Sequence, residues 1–566
     1  MPGLVRRCEA DEGDKESLKG GSADLETQPL LANKNGFDKL ADKMLGDKAN
    51  DSSFSFQLLQ RHFGYKLLVM LIASQHIMKG FAAAFLGPCT QYLYANYKVK
   101  GPQMQIFGGV TQLPWAMKPV IGLISDALPI GGYHKSPYII FASVLGALAC
   151  VTVGALPQHR LSIEQLVVCL FLMQLQFSTC DLLTEAKYAE KMQTKPEHGP
   201  ALMTFVWGGL QVGGLVATMA IGPVMDHWGV KVPFLVVLPL ITFIIIPVAS
   251  NYMEETADSS EALAKIRSNL ASQGEACALC FLMFIGTVML TVVGIVYESA
   301  LVNAVAAITV AVVMLVSFSV VLRPVIAKVN AFFLIQTSLG VSIGGASFYF
   351  FTDNPYQYPE GPHFSMEFFT SVLGVIGSIC SLVGIYSYQK YATGWTYRQL
   401  LMFTNIVLSV LSVSDLMIFT RLNVRLGLPD HAFVLGASVL TGIIAQWMWM
   451  PGVVIMSQLC PKGMEATMYA LLAGCHNLGN TIASNCGALV LELLGCQPSG
   501  ANNETAQFKN LWVGSALSII LPMLTLVMIP WLIPDARQTD KLMEDNERDA
   551  TAGSLLKRWK GKSTSS

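Results

Sequence analysis

The chain has 566 residues, of which 52% are hydrophobic and only 13% charged, where a soluble domain would carry about 25% charged. Its formal net charge is −1, which excludes the electrostatic footprint of a nucleic-acid binder. Cysteines such as Cys150, Cys169, Cys380 and Cys486 sit inside apolar runs, and Cys277–Cys280 is a lone CxxC, so neither a disulfide framework nor a zinc site is expected.

Residues 1–64 are polar, carry charges of both signs and are expected to form a disordered tail. They contain no apolar h-region, so no cleavable secretory signal is expected, and Pro2 excludes a myristoylation pattern. Glu26, Leu30 and Leu31 fit the acidic dileucine pattern that sorting adaptors read. Fourteen stretches of spanning length follow. Six occupy 65–253: Tyr65–Tyr94, Gln103–Ser125, Ser136–His159, Ile163–Glu185, His198–Met225 and Val232–Met253. A polar linker at 254–275 leads to an extra pair within 276–328, Ala276–Tyr297 and Leu301–Leu322. Six more fill 329–534: Ala331–Thr352, Phe368–Gln389, Gln399–Thr420, His431–Pro461, Ala466–Leu491 and Asn510–Pro534. A polar tail at 535–566 is expected to be solvated, with Lys557, Arg558, Lys560 and Lys562 placed to graze anionic lipid. The stretches lack period-2 alternation and are twice the length of a barrel strand, which excludes a β-barrel.

An even number of spans puts both tails on one side. Short loops on that side hold eleven Lys and Arg against seven on the other, so both tails are expected in the cytosol. The sequon Asn503-Glu-Thr505 then falls outside. The plasma membrane is the expected location, with an endosomal or vacuolar membrane as the alternative.

The chain repeats itself. Gly122, Asp126 and Gly132 recur as Gly384, Tyr388 and Gly394 after 262 residues, with Lys135 and Arg398 behind them. Gly208, Gly213, Asp226 and Gly229 recur as Gly474, Gly479, Glu492 and Gly495 after 266 residues. Two parallel six-span units with an extra pair between them (6+2+6) are a transporter arrangement of the major facilitator type, within an all-α polytopic membrane fold. The glycines are expected to be packing seams, as in Gly209-Leu-Gln-Val-Gly213.

Two segments are more specific: Pro114-Trp-Ala-Met-Lys118-Pro119-Val-Ile-Gly122-Leu-Ile-Ser-Asp126 with its continuation to Tyr138, and Cys460-Pro461-Lys-Gly463-Met-Glu465-Ala-Thr467. With Asp181-Leu-Leu-Thr-Glu185-Ala-Lys-Tyr-Ala-Glu190, they resemble the folate–biopterin transporter family, a branch of the major facilitator superfamily, from about Tyr65 to Pro534. The resemblance implies uptake of folates or unconjugated pterins by alternating access, coupling to protons (symport) and no cofactor. Transport of S-adenosylmethionine is the alternative. It also implies that the first and fourth spans of each half line a central cavity. The chain departs from the superfamily pattern in the weak basic cluster His134-Lys135, in Tyr388 at the second-half position of Asp126, and in the extra pair.

A charge at the bilayer centre costs about 2.5–3.5 kcal/mol on insertion scales, so it normally faces a cavity. Lys79 lies in the first span, with Gln75 and His76 four and three residues before it and expected on the same face. Asp181 and Glu185 are spaced i, i+4 on the fourth span. Two close carboxylates hinder each other's ionisation, so one is expected to hold a transportable proton, with neutralisation by Lys187 or Lys135 as the structural alternative. A folate's anionic tail would suit Lys79 or Lys118. Gly122, Asp126 and Lys135 are expected to gate. Asp415 is expected to pair with Arg421, and Trp447 and Trp449 to pack. Repeat offsets place Ile343, Cys380, Trp447 and Pro451 opposite Lys79, Lys118, Asp181 and Glu185, which concentrates the polar chemistry in the first half. Gly340-Val-Ser342-Ile-Gly344 matches a hydrolase nucleophile elbow but is expected inside a helix, so an enzyme is not expected.

Overall fold

The computed structural model describes residues 56–566 except 196–197, 461–464, 564–566 and scattered positions within 258–272 and 539–548. Most of the first tail, with the Glu26–Leu31 pattern, lies outside the described residues. A short helix, Phe56–Phe63, precedes the first half and corrects the expectation that the tail is disordered as far as residue 64, because Leu59 and Phe63 are buried in a core with Leu67, Tyr188 and Leu202. That half contains α1 (Tyr65–Asn96), α2 (Gly101–Ala116), α3 (Lys118–Ala127), α4 (Ser136–Ala155), α5 (Ile163–Thr194), α6 (Gly199–Trp228) and α7 (Val232–Ala249). The extra pair is α8 (Gly274–Val296) and α9 (Ala300–Val321). The second half holds α10 (Pro324–Thr352), α11 (Glu367–Tyr391), α12 (Tyr397–Phe419), α13 (Asp430–Gln458), α14 (Glu465–Leu493) and α15 (Thr505–Val527). Twelve helices among the described residues are long and apolar enough to cross a membrane, so the chain is an integral membrane protein.

The other two stretches counted from sequence are α2 with α3 and the 29-residue α14. They fall short on apolarity because they pack on each other. Thr481 Oγ1 of α14 donates to the Gly109 carbonyl of α2 at 3.3 Å, and a Cβ on Gly474 would sit 3.3 Å from the Ala116 carbonyl. Helix surface hidden in protein need not resemble lipid. The extra pair seats on this seam. Gly294 of α8 meets Val110, and Leu279, Met283, Val310 and Met314 share a core with Leu113, Ala116, Leu471 and Leu478. Its other face exposes Ile285, Val292, Val305, Val312 and Val316, an apolar stripe suited to acyl chains.

The repeat survives in three dimensions. Gly229 (φ +82°) follows α6 and Gly495 (φ +70°) follows α14, each at a positive φ that favours glycine where the helix ends. A Cβ on Gly213 would meet the His76 carbonyl of α1 at 2.5 Å, and one on Gly479 would meet Thr337 of α10 at 2.8 Å. Glycine thus seats the fifth helix of each half on its first. Both first helices are also irregular. Residues Ile72–Ala82 of α1 form a π-helical stretch, and α10 breaks between Leu339 and Gly344. That break corrects the expectation of a continuous helix around Ser342. No strand precedes it, so the hydrolase-like motif is a helix break, with Ser342 N–H donating to the Ala483 carbonyl at 3.2 Å.

The C-terminal segment is not merely solvated, contrary to expectation. Ala550, Thr551 and Ser554 are buried, and Arg323 N–H donates to the Ala550 carbonyl at 2.8 Å. Gln538 accepts from the Tyr388 hydroxyl and donates to the Ala392 carbonyl at 2.9 Å. These contacts define a terminal end of the bundle, opposite a distal end formed by the loops around Lys98, Asp353 and Gly500.

Candidate functional site

The in-membrane charges of the first half meet at one point. Asp181 on α5 is 1% exposed. Lys79 Nζ on α1 donates to both of its carboxylate oxygens at 3.0 Å. Lys118 Nζ, at the start of α3, donates to Oδ2 at 2.6 Å, and Gln75 Nε2 donates to Oδ1 at 2.9 Å. Glu185, one turn along α5, lies 3.8 Å from Lys118 and accepts from the Tyr188 hydroxyl at 3.2 Å. Two ammonium groups and two carboxylates therefore form one neutral cluster. Mutual attraction in a low dielectric offsets part of their desolvation. The Glu185 and Lys79 side chains remain 32% and 25% exposed, so the cluster borders open space.

The backbone explains who joins. In the π-helical stretch the wider i→i+5 turn keeps residues four apart in line and carries residues three apart to another face. Gln75 and Lys79 thus share the Asp181 side, whereas His76 turns to α6. There its Nε2 lies 2.9 Å from the Phe205 carbonyl and its ring fills the space above Gly209. The expectation of one shared face holds for Gln75 and fails for His76, which packs helices. The break between α2 and α3 at Met117, ahead of Pro119, lets Lys118 open a new helix beside Asp181. Lys187 pairs instead with Glu190 at 3.3 Å, so neither Lys187 nor Lys135 neutralises the carboxylates.

Trp115 is the residue the sequence reading passed over. Lys118 Nζ lies 4.8 Å and Lys79 Nζ 5.9 Å from its ring centroid, and Trp207 faces Lys79 at 5.6 Å. Trp115 Nε1 donates to Gln174 Oε1 at 2.9 Å. The available signal was helical spacing: Trp115 lies three residues before Lys118, and Gln174 seven before Asp181.

The expected gate residues lie apart from this cluster, at the terminal end. Gly122 packs on Leu182. Asp126, exposed near the end of α3, is within the field of Lys135 and His134. Lys135 acts through its backbone, whose N–H donates to Glu255 at 2.8 Å, and Glu255 also accepts from Ser136. Lys191 and Glu254 pair at 2.6 Å beside them, and that hydrogen bond holds the Glu254 carboxyl below its ordinary range. Arg421 forms a two-pronged pair with Asp430 at 2.8 Å rather than with Asp415, because the chain turns back at Gly427. Trp447 packs as expected, with Nε1 donating to Ser387 at 2.9 Å.

The distal end is sealed across the two halves. Lys98 Nζ donates to the Gly500 carbonyl at 2.7 Å, the Tyr349 hydroxyl to the Val99 carbonyl at 2.6 Å, and Gly101 N–H to the Pro498 carbonyl at 2.8 Å. Gln105 bridges deeper, donating to the Ser342 and Ser484 carbonyls at 3.0 and 2.9 Å and accepting from Gly345 N–H at 3.2 Å. A Cβ on Gly345 would sit 1.9 Å from the Gly101 carbonyl, so only glycine permits this approach.

Comparison with known proteins supplies context. The profile of the BT1 family matches residues 79–552. A probable folate-biopterin transporter 6 of Arabidopsis thaliana is 24% identical over 86% of both chains. The folate-biopterin transporter of Synechocystis is 25% identical over 78% of this chain and 77% of its own. Folate transporter 1 of Plasmodium falciparum is 22% identical over 77% and 74%. Among solved structures, a peptide transporter POT superposes with a TM-score of 0.57 at 13% identity, covering 85% of this chain and 99% of its own. The nucleoside transporter NupG gives 0.52 at 10%, covering 82% and 99%. These structures share the fold.

Proposed function

The chain belongs to the BT1 family and is a membrane transporter, and from that premise we propose that it carries folates or unconjugated pterins, coupled to protons, by alternating access. The printed names of its relatives support the substrate class. The observation that carries the mechanism is the convergence of Lys79, Lys118, Asp181, Glu185 and Gln75. A carrier must bind, release and reorient. An ion cluster balanced within itself can exchange an internal partner for a substrate group without leaving a bare charge in the membrane. A folate carboxylate competes with Asp181 for Lys79 and Lys118. Glu185, half open to the passage, is the carboxylate that takes the proton.

The closed distal seal corresponds to one of the two access states, and separation of Lys98 from Gly500 opens the other. The basic excess of the terminal-end loops orients that end to the cytosol. Asp126, Gly122, Lys135 and the Lys191–Glu254 pair then form the cytosolic gate.

The test is uptake of labelled folate into sealed vesicles, with and without an inward proton gradient, in competition with biopterin and S-adenosylmethionine. Gradient-dependent uptake, blocked by biopterin, is expected. Block by S-adenosylmethionine alone would replace the substrate class, and gradient-independent uptake would remove the coupling.

A further inference from the structure

Three helix faces line the space between the halves, and each changes character at the same depth. On α1 the face of Lys79 continues toward the distal end as Ala83, Gly87, Gln91 and Tyr94. On α2, Gly108 and Gln112 lead to Trp115, beyond which Lys118 opens α3. On α5, Leu170 and Gln174 lead to Asp181 and Glu185. Steps of three and four residues keep each series on one helix face. Ser342, Gly345 and Ser484 of the second half close the far wall.

The cavity is about 280 Å³. No Asp, Glu, Lys, Arg or His is among its lining residues, although the ion cluster begins one turn away. Its polar groups include the amides of Gln91, Gln105, Gln112 and Gln174 and the hydroxyls of Thr90, Tyr94, Thr111, Ser342 and Ser484. Tyr94 is 1% exposed, and its hydroxyl faces Thr111 without a well-formed hydrogen bond in the protein. Buried polar groups are normally paired, so an under-satisfied one beside the cavity is where a small side-chain rotation lets a ligand or water complete the set. Phe177 and Phe234 supply flat apolar surface. The volume is just under the roughly 300–1,000 Å³ typical of pockets for drug-sized ligands, which suits one bicyclic ring and not a whole folate.

We propose that this neutral compartment is a ring subsite: it takes an uncharged planar bicyclic heterocycle by its hydrogen-bonding edge, while an anionic tail crosses Trp115 and Gln174 to reach Lys79 and Lys118. The inference rests on the pteridine reading above and divides that substrate between two compartments. Trp115, bonded to Gln174 and stacked on both lysines, is the partition.

The glycines provide the test. A Cβ on Gly87 or Gly108 meets nothing within 4 Å, so Gly87→Leu and Gly108→Leu add side-chain volume to the compartment from positions where the chain leaves room at Cβ. Purified parent and variants are compared for binding of labelled biopterin and of p-aminobenzoylglutamate, which has the tail without the ring. Melting temperature is the folding control, and Tyr94→Phe, which removes one hydroxyl, is the mild variant. Biopterin binding is expected to weaken about tenfold or more in the filled variants and about fivefold in Tyr94→Phe, with p-aminobenzoylglutamate unchanged in variants that melt like the parent. Undiminished biopterin binding in the filled variants, or equal loss of both ligands, overturns the division. Failure of the parent itself to bind any pteridine overturns the substrate reading and this subsite together, and is seen before any variant is made.

Discussion

The two halves share a scaffold and differ in what they place on it. At the offsets of the repeat, Lys79, Lys118, Asp181 and Glu185 face Ile343, Cys380, Trp447 and Pro451. The first set is one ion cluster. In the second, Trp447 bonds Ser387 and stacks near Trp395 and Phe403, Cys380 is buried, and Ile343 lies at the break in α10. Glycine seams and helix ends match while the chemistry does not. Packing constrains both copies alike, because each must seat a fifth helix on a first. Binding needs a charged group on only one wall of a shared passage, and the other wall can remain neutral and serve to close it.

The largest effect expected from this contrast is at Asp181. Asp181→Asn leaves two lysines without their buried partner and should destabilise the protein by about 3–5 kcal/mol and abolish uptake. Its counterpart Trp447→Phe loses one neutral hydrogen bond, about 1 kcal/mol. Thermal melts and vesicle uptake on both compare the halves directly, and similar losses would end the claim that the chemistry is one-sided.

The seams should rank next. Gly213→Ala drives a methyl onto the backbone carbonyl of His76 and should cost about 1–3 kcal/mol. Gly479→Ala meets the Thr337 side chain and should cost less. The reverse order in denaturant melts would mean that α10 is the less yielding first helix.

At the terminal end, Asp126 is exposed, whereas its counterpart Tyr388 is buried and bonded to Gln538. Gln538→Ala should therefore cost about 1–3 kcal/mol by leaving buried groups unpaired, read as a lower melting temperature. Asp126→Ala should leave stability within about 0.5 kcal/mol while altering uptake. No change in uptake would remove Asp126 from the gate.

The smallest effect concerns the distal seal. Burial raises the Asp353 carboxyl to about 7, with Glu504 adding to the rise and Lys98 opposing it. The folded value lies above the ordinary one, so the sealed fold binds this proton more tightly than the unfolded chain. The resulting stability is fully present below about pH 4 and is lost as pH rises through about 7. The wild-type melting temperature should fall across that interval, and Asp353→Asn should flatten the profile. A flat wild-type profile would exclude titration in the seal.

Much of this architecture was already legible along the chain. Apolar runs of spanning length, the Gly213/Gly479 and Gly229/Gly495 matches and the charges Lys79, Lys118, Asp181 and Glu185 are local or periodic signals, and hydrocarbon enforces them wherever they occur. Which lysine meets which acid was not legible, because each lysine lies more than sixty residues from Asp181 along the chain. His76 was misplaced because a π-helical turn rotates neighbours off an ideal helix face. Arg421 was mispaired because a glycine turn brings Asp430 back to it. The amide compartment was missed because glutamines at helical spacing look like ordinary polar faces until three such faces are brought together. Sequence thus determined where the apolar segments lie and which glycines let them touch, since those demands act on each segment alone. Tertiary structure alone decided the pairings, the seal and the cavity, since each is a property of surfaces that meet only once the helices have packed.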